Sequence, residues 1–108
     1  MNRSVNQSDW KRFRVVRDGA LERLCERALD AISATISEKT LSHHARFLQV
    51  YEKVHEYNDQ VANGFDDLSR SRMIQQIAYL RSMNLISDTE MEGFTQETQD
   101  VVARFLGY

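Results

Sequence analysis

Glu52 and His55 stand three residues apart, the spacing by which di-iron carboxylate bundles place two ligands on one helix face, and Asp59 follows one turn later. Those bundles use the motif twice and add two further inward glutamates. This chain carries it once, so a second copy would have to come from a symmetric partner. Lys53 and Glu56 beside it give the strip the composition of a solvated face, and no metal is expected there. His43 and His44 form a second candidate pair. His44 and His55 share a helix face but lie about 16 Å apart along the axis, too far to bind one ion. With no third ligand at suitable spacing, the pair reads as two exposed histidines beside a turn.

Cys25 is the single cysteine, which excludes an internal disulfide and is compatible with a reducing compartment. It falls between Leu21 and Ala28 on an apolar stripe, and no histidine on its own helix could activate it, so a buried, inert thiol is expected. The sequence has no Gly-rich phosphate loop, no Gly-x-Ser-x-Gly elbow and no paired-cysteine zinc spacing. No catalytic residue, cofactor or metal is therefore expected.

Charge is unevenly placed. The first seventeen residues are net +4, from Arg3, Lys11, Arg12, Arg14 and Arg17 against Asp9. The segment from Asp88 to Arg104 is net -4, and the whole chain is only -2. Lys11, Arg12, Arg14 and Arg17, with Trp10 and Phe13 as stacking groups, could bind nucleic acid. Docking onto the acidic segment of the same or a neighbouring chain is the simpler reading, because the two patches balance. Arg70, Arg72 and Arg81 form a sparser basic set, read as a solvated face.

The elements that must position these groups are helical. The chain has 108 residues, 42% apolar and 28% charged, with no proline and four glycines, so the punctuation of hairpins and sandwiches is missing. The fold class expected is all-α, a single domain over residues 1–108. Residues 1–7 are polar and read as a disordered N-terminal segment, without the apolar stretch of a signal peptide. No run approaches the length of a membrane span, so neither a membrane partner nor a location outside the cytoplasm is expected.

Three main helices account for the periodicity. The first covers about 9–37, capped by Ser8 or Asp9, and its stripe crosses Gly19 without a phase jump. The Ser/Thr-rich stretch between Ser33 and Ser42 turns the chain, with Thr40 or Ser42 as the next cap. The second helix is read as continuous over about 42–83, bent at most near Asn63-Gly64. Its seam runs Phe47, Tyr51, Val54, Asn58, Val61, Phe65 and Leu68. The third covers about 88–106: Ser87 and Glu90 form a capping-box pattern, and Ile86 with Met91 a hydrophobic staple. Short connections imply antiparallel helical hairpins.

A rod of roughly 42 residues would extend about 60 Å, longer than one small globule can cover. A homodimeric helical bundle is therefore expected, its two central helices meeting through Tyr57, Asn58, Val61 and Phe65. The functional expectation is a non-enzymatic protein acting by self-association and protein-protein contact with an unidentified protein partner. A nucleic-acid-associated regulator using the basic helix is the alternative, and a metal-dependent bundle enzyme the more distant one.

Overall fold

The structure, a computed structural model, describes residues 6–107. Most of the segment read as disordered, residues 1–5, lies outside the described residues. Every regular element is helical: α1 (Gln7–Ile36), α2 (His43–Phe65), α3 (Met73–Ser82), α4 (Asp88–Glu92) and α5 (Gln96–Phe105), with a 3₁₀ turn at Arg70–Arg72 before α3. Among the described residues there is no strand, and no helix is long and apolar enough to cross a membrane.

Helix α1 has 30 residues, about 45 Å of rise, and passes Gly19 unbroken. Its cap is Asn6, whose side chain accepts from the Ser8 backbone N–H at 2.8 Å, rather than Ser8 or Asp9. Phe13, Val16, Ala20 and Leu24 recur in steps of three and four and are buried, so the first half of α1 forms one wall of the core. The Ser/Thr-rich stretch does turn the chain, and Ser42 caps α2 by accepting from Ala45 N–H at 3.0 Å.

The expected continuous helix over 42–83 is not formed. Helix α2 passes Gly64 and ends at Phe65; the chain then runs extended at Asp66 and takes a left-handed conformation at Asp67 (φ 59°). The physical reason lies in what surrounds the break. Phe65 is buried, its carbonyl accepts from Arg17 Nη2 at 2.6 Å, and the Asp66 carbonyl accepts from Gln76 Nε2 at 2.8 Å. Two carbonyls that would have continued the helical ladder are thus satisfied from other elements. Gly64 matters through space: a Cβ there would come within 3.0 Å of Leu80 Cδ2 and 3.2 Å of the Tyr79 ring, so its absence lets α2 approach α3 closely.

Helix α3 ends in a Schellman arrangement, with Leu85 N–H donating to Leu80 C=O at 2.9 Å, Asn84 N–H to Arg81 C=O at 3.0 Å, and Asn84 at φ 58°. The Ser87–Glu90 capping box is formed in both directions, and Ile86 and Met91 are buried beside it. The single third helix expected over 88–106 is divided, because Thr95 caps a new start at α5 by accepting from Thr98 N–H. Phe94 and Val102 carry the core on from there.

The molecule is elongated, 56 × 25 × 24 Å with a radius of gyration of 16.9 Å, against about 13 Å for a compact chain of 100 residues. The core explains the shape. Its buried residues come from the first half of α1, the end of α2, helices α3 to α5 and the turns joining them. The second half of α1 and most of α2 project from this body as an antiparallel two-helix arm.

Candidate functional site

The arm is closed at its base by Arg17, bonded to the Phe65 carbonyl and stacked over the Phe65 ring at 5.3 Å, and near its tip by Arg46, which donates to the Ile36 carbonyl at 2.7 Å. Between these clamps the two helices meet through mostly small or half-buried groups: Ala28, Ala31 and Ile32 on α1, Val50, Tyr57 and Val61 on α2. Thr35 is the one buried residue between Cys25 and Asn63, and its hydroxyl donates back to the Ala31 carbonyl at 3.0 Å.

Large apolar groups lie beside that seam rather than in it. Leu29 is 66% exposed, Ile36 56%, Phe47 69%, Tyr51 59% and Val54 48%. At about 100° per residue, Leu29 and Ile36 sit roughly 90° around α1 from the row that faces α2. Phe47, Tyr51 and Val54 sit roughly 40–100° around α2 from the row that faces α1, in the same rotational sense. In an antiparallel pair, equal rotational senses fall on the same side. The five residues therefore form one apolar face, with Ile36 and Phe47 toward the tip, Leu29 and Val54 toward the body and Tyr51 between. Leu48, also exposed, points to the back of α2.

Of the expected dimer anchors, Phe65 is 5% exposed in the core of its own chain, Tyr57 and Val61 are packed against that core, and Asn58 alone is exposed. The free part of the α2 seam is its upstream half, Phe47, Tyr51 and Val54. Cys25, expected to be buried, is exposed; it lies on the same side of α1 as Leu29, four residues before it. The misplacement has a simple cause: the row of α1 that faces α2 is Leu24, Ala28, Ala31 and Thr35, one residue out of phase with a stripe drawn through Cys25.

The basic patch is divided. Arg17 is used in the base clamp, while Lys11, Arg12 and Arg14 are exposed, Arg12 with its guanidinium over Gly93, where a Cβ would lie 2.8 Å from its central carbon. The first turn of α1 makes the polar contact that sequence reasoning missed. Asp9 is 1% exposed and accepts from Thr95 N–H (2.9 Å), Thr95 Oγ1 (2.6 Å) and Thr98 Oγ1 (2.6 Å). Burial opposes its charge, but these hydrogen bonds outweigh it and hold the carboxyl below the ordinary value of 3.8. Only the Thr-x-x-Thr spacing hinted at it. Arg23 similarly grips the Leu85 carbonyl (2.7 Å) and the Glu90 carboxylate, through bonds at 2.8 and 3.0 Å. Burial raises and the Arg23 and Ser87 bonds lower the Glu90 pKa, which ends below its usual value. Arg27 donates to the Met83 carbonyl at 2.9 Å, and Arg81 to the Ile86 carbonyl and Asp88.

Glu52, His55 and Asp59 line an open, exposed groove on α2, where the Tyr51 and His55 rings meet edge-on at 4.6 Å. His43 and His44 are exposed at the start of α2, as expected. Among the described residues no three His, Cys, Asp or Glu side chains are grouped closely enough to hold a metal ion. No protein-family model, curated protein or solved structure matches the chain.

Proposed function

We propose that this is a non-enzymatic, cytoplasmic α-helical protein that works by protein-protein contact and self-association, with the apolar side of the arm as its contacting surface. One observation carries the reading: Leu29, Ile36, Phe47, Tyr51 and Val54 share a side of the arm and each is about half exposed or more. Monomeric proteins keep contiguous apolar patches small, and a helical hairpin with such a stripe is the form in which helices recognise other helices. The division of the basic patch weakens the nucleic-acid alternative, because Arg17 is engaged within the chain by the Phe65 carbonyl and ring.

In-cell photo-crosslinking tests this reading. With a photoreactive phenylalanine at position 47, a discrete protein adduct is expected, and with one at position 11, none. Absence of any adduct at 47, or a nucleic-acid adduct at 11, defeats the proposal.

A further inference from the structure

We infer that the occupant of the arm's apolar face is a second copy of this chain, laid antiparallel about a twofold axis through Tyr51, so that two arms make a four-helix bundle. This rests on the interaction reading above and names its partner. The first argument is area. From the exposures of the five residues and ordinary side-chain areas of about 150–250 Å², the free apolar surface is roughly 550 Å², near the upper end for a monomer. With the polar groups around it, the face approaches the roughly 800 Å² that each partner contributes to a stable complex.

The second argument is self-complementarity. Along the hairpin, Ile36 and Phe47 are level at one end of the patch, and Leu29 and Val54 at the other. Tyr51 lies midway, about 5 Å along the axis from each end. A twofold axis at Tyr51 therefore places each apolar pair of one copy on the opposite pair of the other, as an isologous contact demands.

Reach and charge agree with this placement. From the axis, the tip near Lys39 is about 10 Å away, and the body, beginning at Leu24, about 13 Å. Each tip can lie along its partner without colliding with the body. It would carry Lys39, His43 and His44, all exposed, beside the partner's Glu22 and Glu26. Those two carboxylates have no ion-pair partner among the described residues, since Arg23 and Arg27 reach toward Glu90 and the Met83 carbonyl instead.

Light scattering coupled to size exclusion at roughly 100 μM, a concentration at which a micromolar dimer is nearly fully formed, should give twice the chain mass of 12.6 kDa. The double substitution Phe47→Glu with Tyr51→Glu should return it to 12.6 kDa with an unchanged helical spectrum. Because both residues are exposed in the single chain, this variant is expected to fold. A wild-type monomer at that concentration overturns the inference, and so does a variant that remains dimeric. Geometry is tested in a Cys25→Ser background: a short bismaleimide should link Tyr51→Cys chains into covalent dimers and leave Leu48→Cys chains unlinked. Equal linking at the two positions, or none at Tyr51→Cys, rejects the twofold placement. A wild-type monomer that still forms a heterologous adduct at position 47 in cells would remove the second copy and the self-association, and leave protein-protein contact through this face standing.

Discussion

The body and the arm share the two long helices α1 and α2, yet they are held by different means. In the body, Phe13, Leu24, Met73, Ile77, Leu80 and Leu85 are fully or almost fully buried, and polar groups such as Asp9 and Gln76 are bonded across elements. In the arm, between Cys25 and Asn63, only Thr35 is buried. Burial of large side chains scales with apolar area, whereas pairing through alanines and threonine removes little of it. The body is held by its own packing. The arm gains helix continuity from the body at one end and has a free apolar side, which is why the surface proposed for assembly lies there and not in the core.

The contrast is sharpest for large aromatic groups. Phe13→Ala removes a fully buried ring and should destabilise the protein by about 3–5 kcal/mol in urea unfolding. A loss under about 1 kcal/mol would mean that the first half of α1 is not the wall of the core.

Asp9→Asn probes how the body holds its polar groups. It replaces an acceptor of three hydrogen bonds with a group that can accept at one atom only, for an expected loss of about 2 kcal/mol. The sign with pH follows from the lowered pKa. Stability contributed by the Asp9 carboxylate is present above its unfolded value near 3.8 and is lost as pH falls through the lower folded value. Wild type should therefore lose more stability than the variant on acidification below about pH 4. Equal losses in the two proteins would show that the carboxylate is not held in its charged form.

Ser87→Ala should cost about 1 kcal/mol by removing one half of the capping box of α4. An unchanged midpoint would mean that packing of Met91 alone fixes this turn. Gly19→Ala should act in the opposite direction, adding about 0.5–1 kcal/mol. Gly19 lies inside α1, and an added Cβ meets nothing closer than the Arg23 guanidinium at 3.5 Å. A loss instead would reveal a constraint within the body-forming half of α1.

The smallest effect is expected in the arm. In dilute, monomeric protein, Phe47→Gln should change unfolding free energy by less than about 0.5 kcal/mol, because the ring is 69% exposed. A change comparable to that of Phe13→Ala would erase the distinction between the two regions.

Much of this architecture was legible along the chain. The helical class, the uninterrupted first helix across Gly19, the turn before Ser42 and the Ser87–Glu90 box all follow from local periodicity and capping chemistry. Each depends on groups within about four residues of one another, and such groups meet whatever the rest of the fold does. Even the seam Phe47, Tyr51, Val54 and Phe65 could be drawn from spacing alone.

Tertiary structure decided where that seam is used. The break after Phe65 is stabilised by Arg17 and Gln76, and the division before α5 by Asp9, partners separated in sequence by as many as 89 residues. No local pattern reports which carbonyl a distant guanidinium will satisfy. Burial likewise depends on which helix arrives alongside. Because α3 packs against the end of α2, Phe65 is enclosed in the body; because among the described residues only α1 runs beside the outer part of α2, on another side of it, Phe47 is left on the surface.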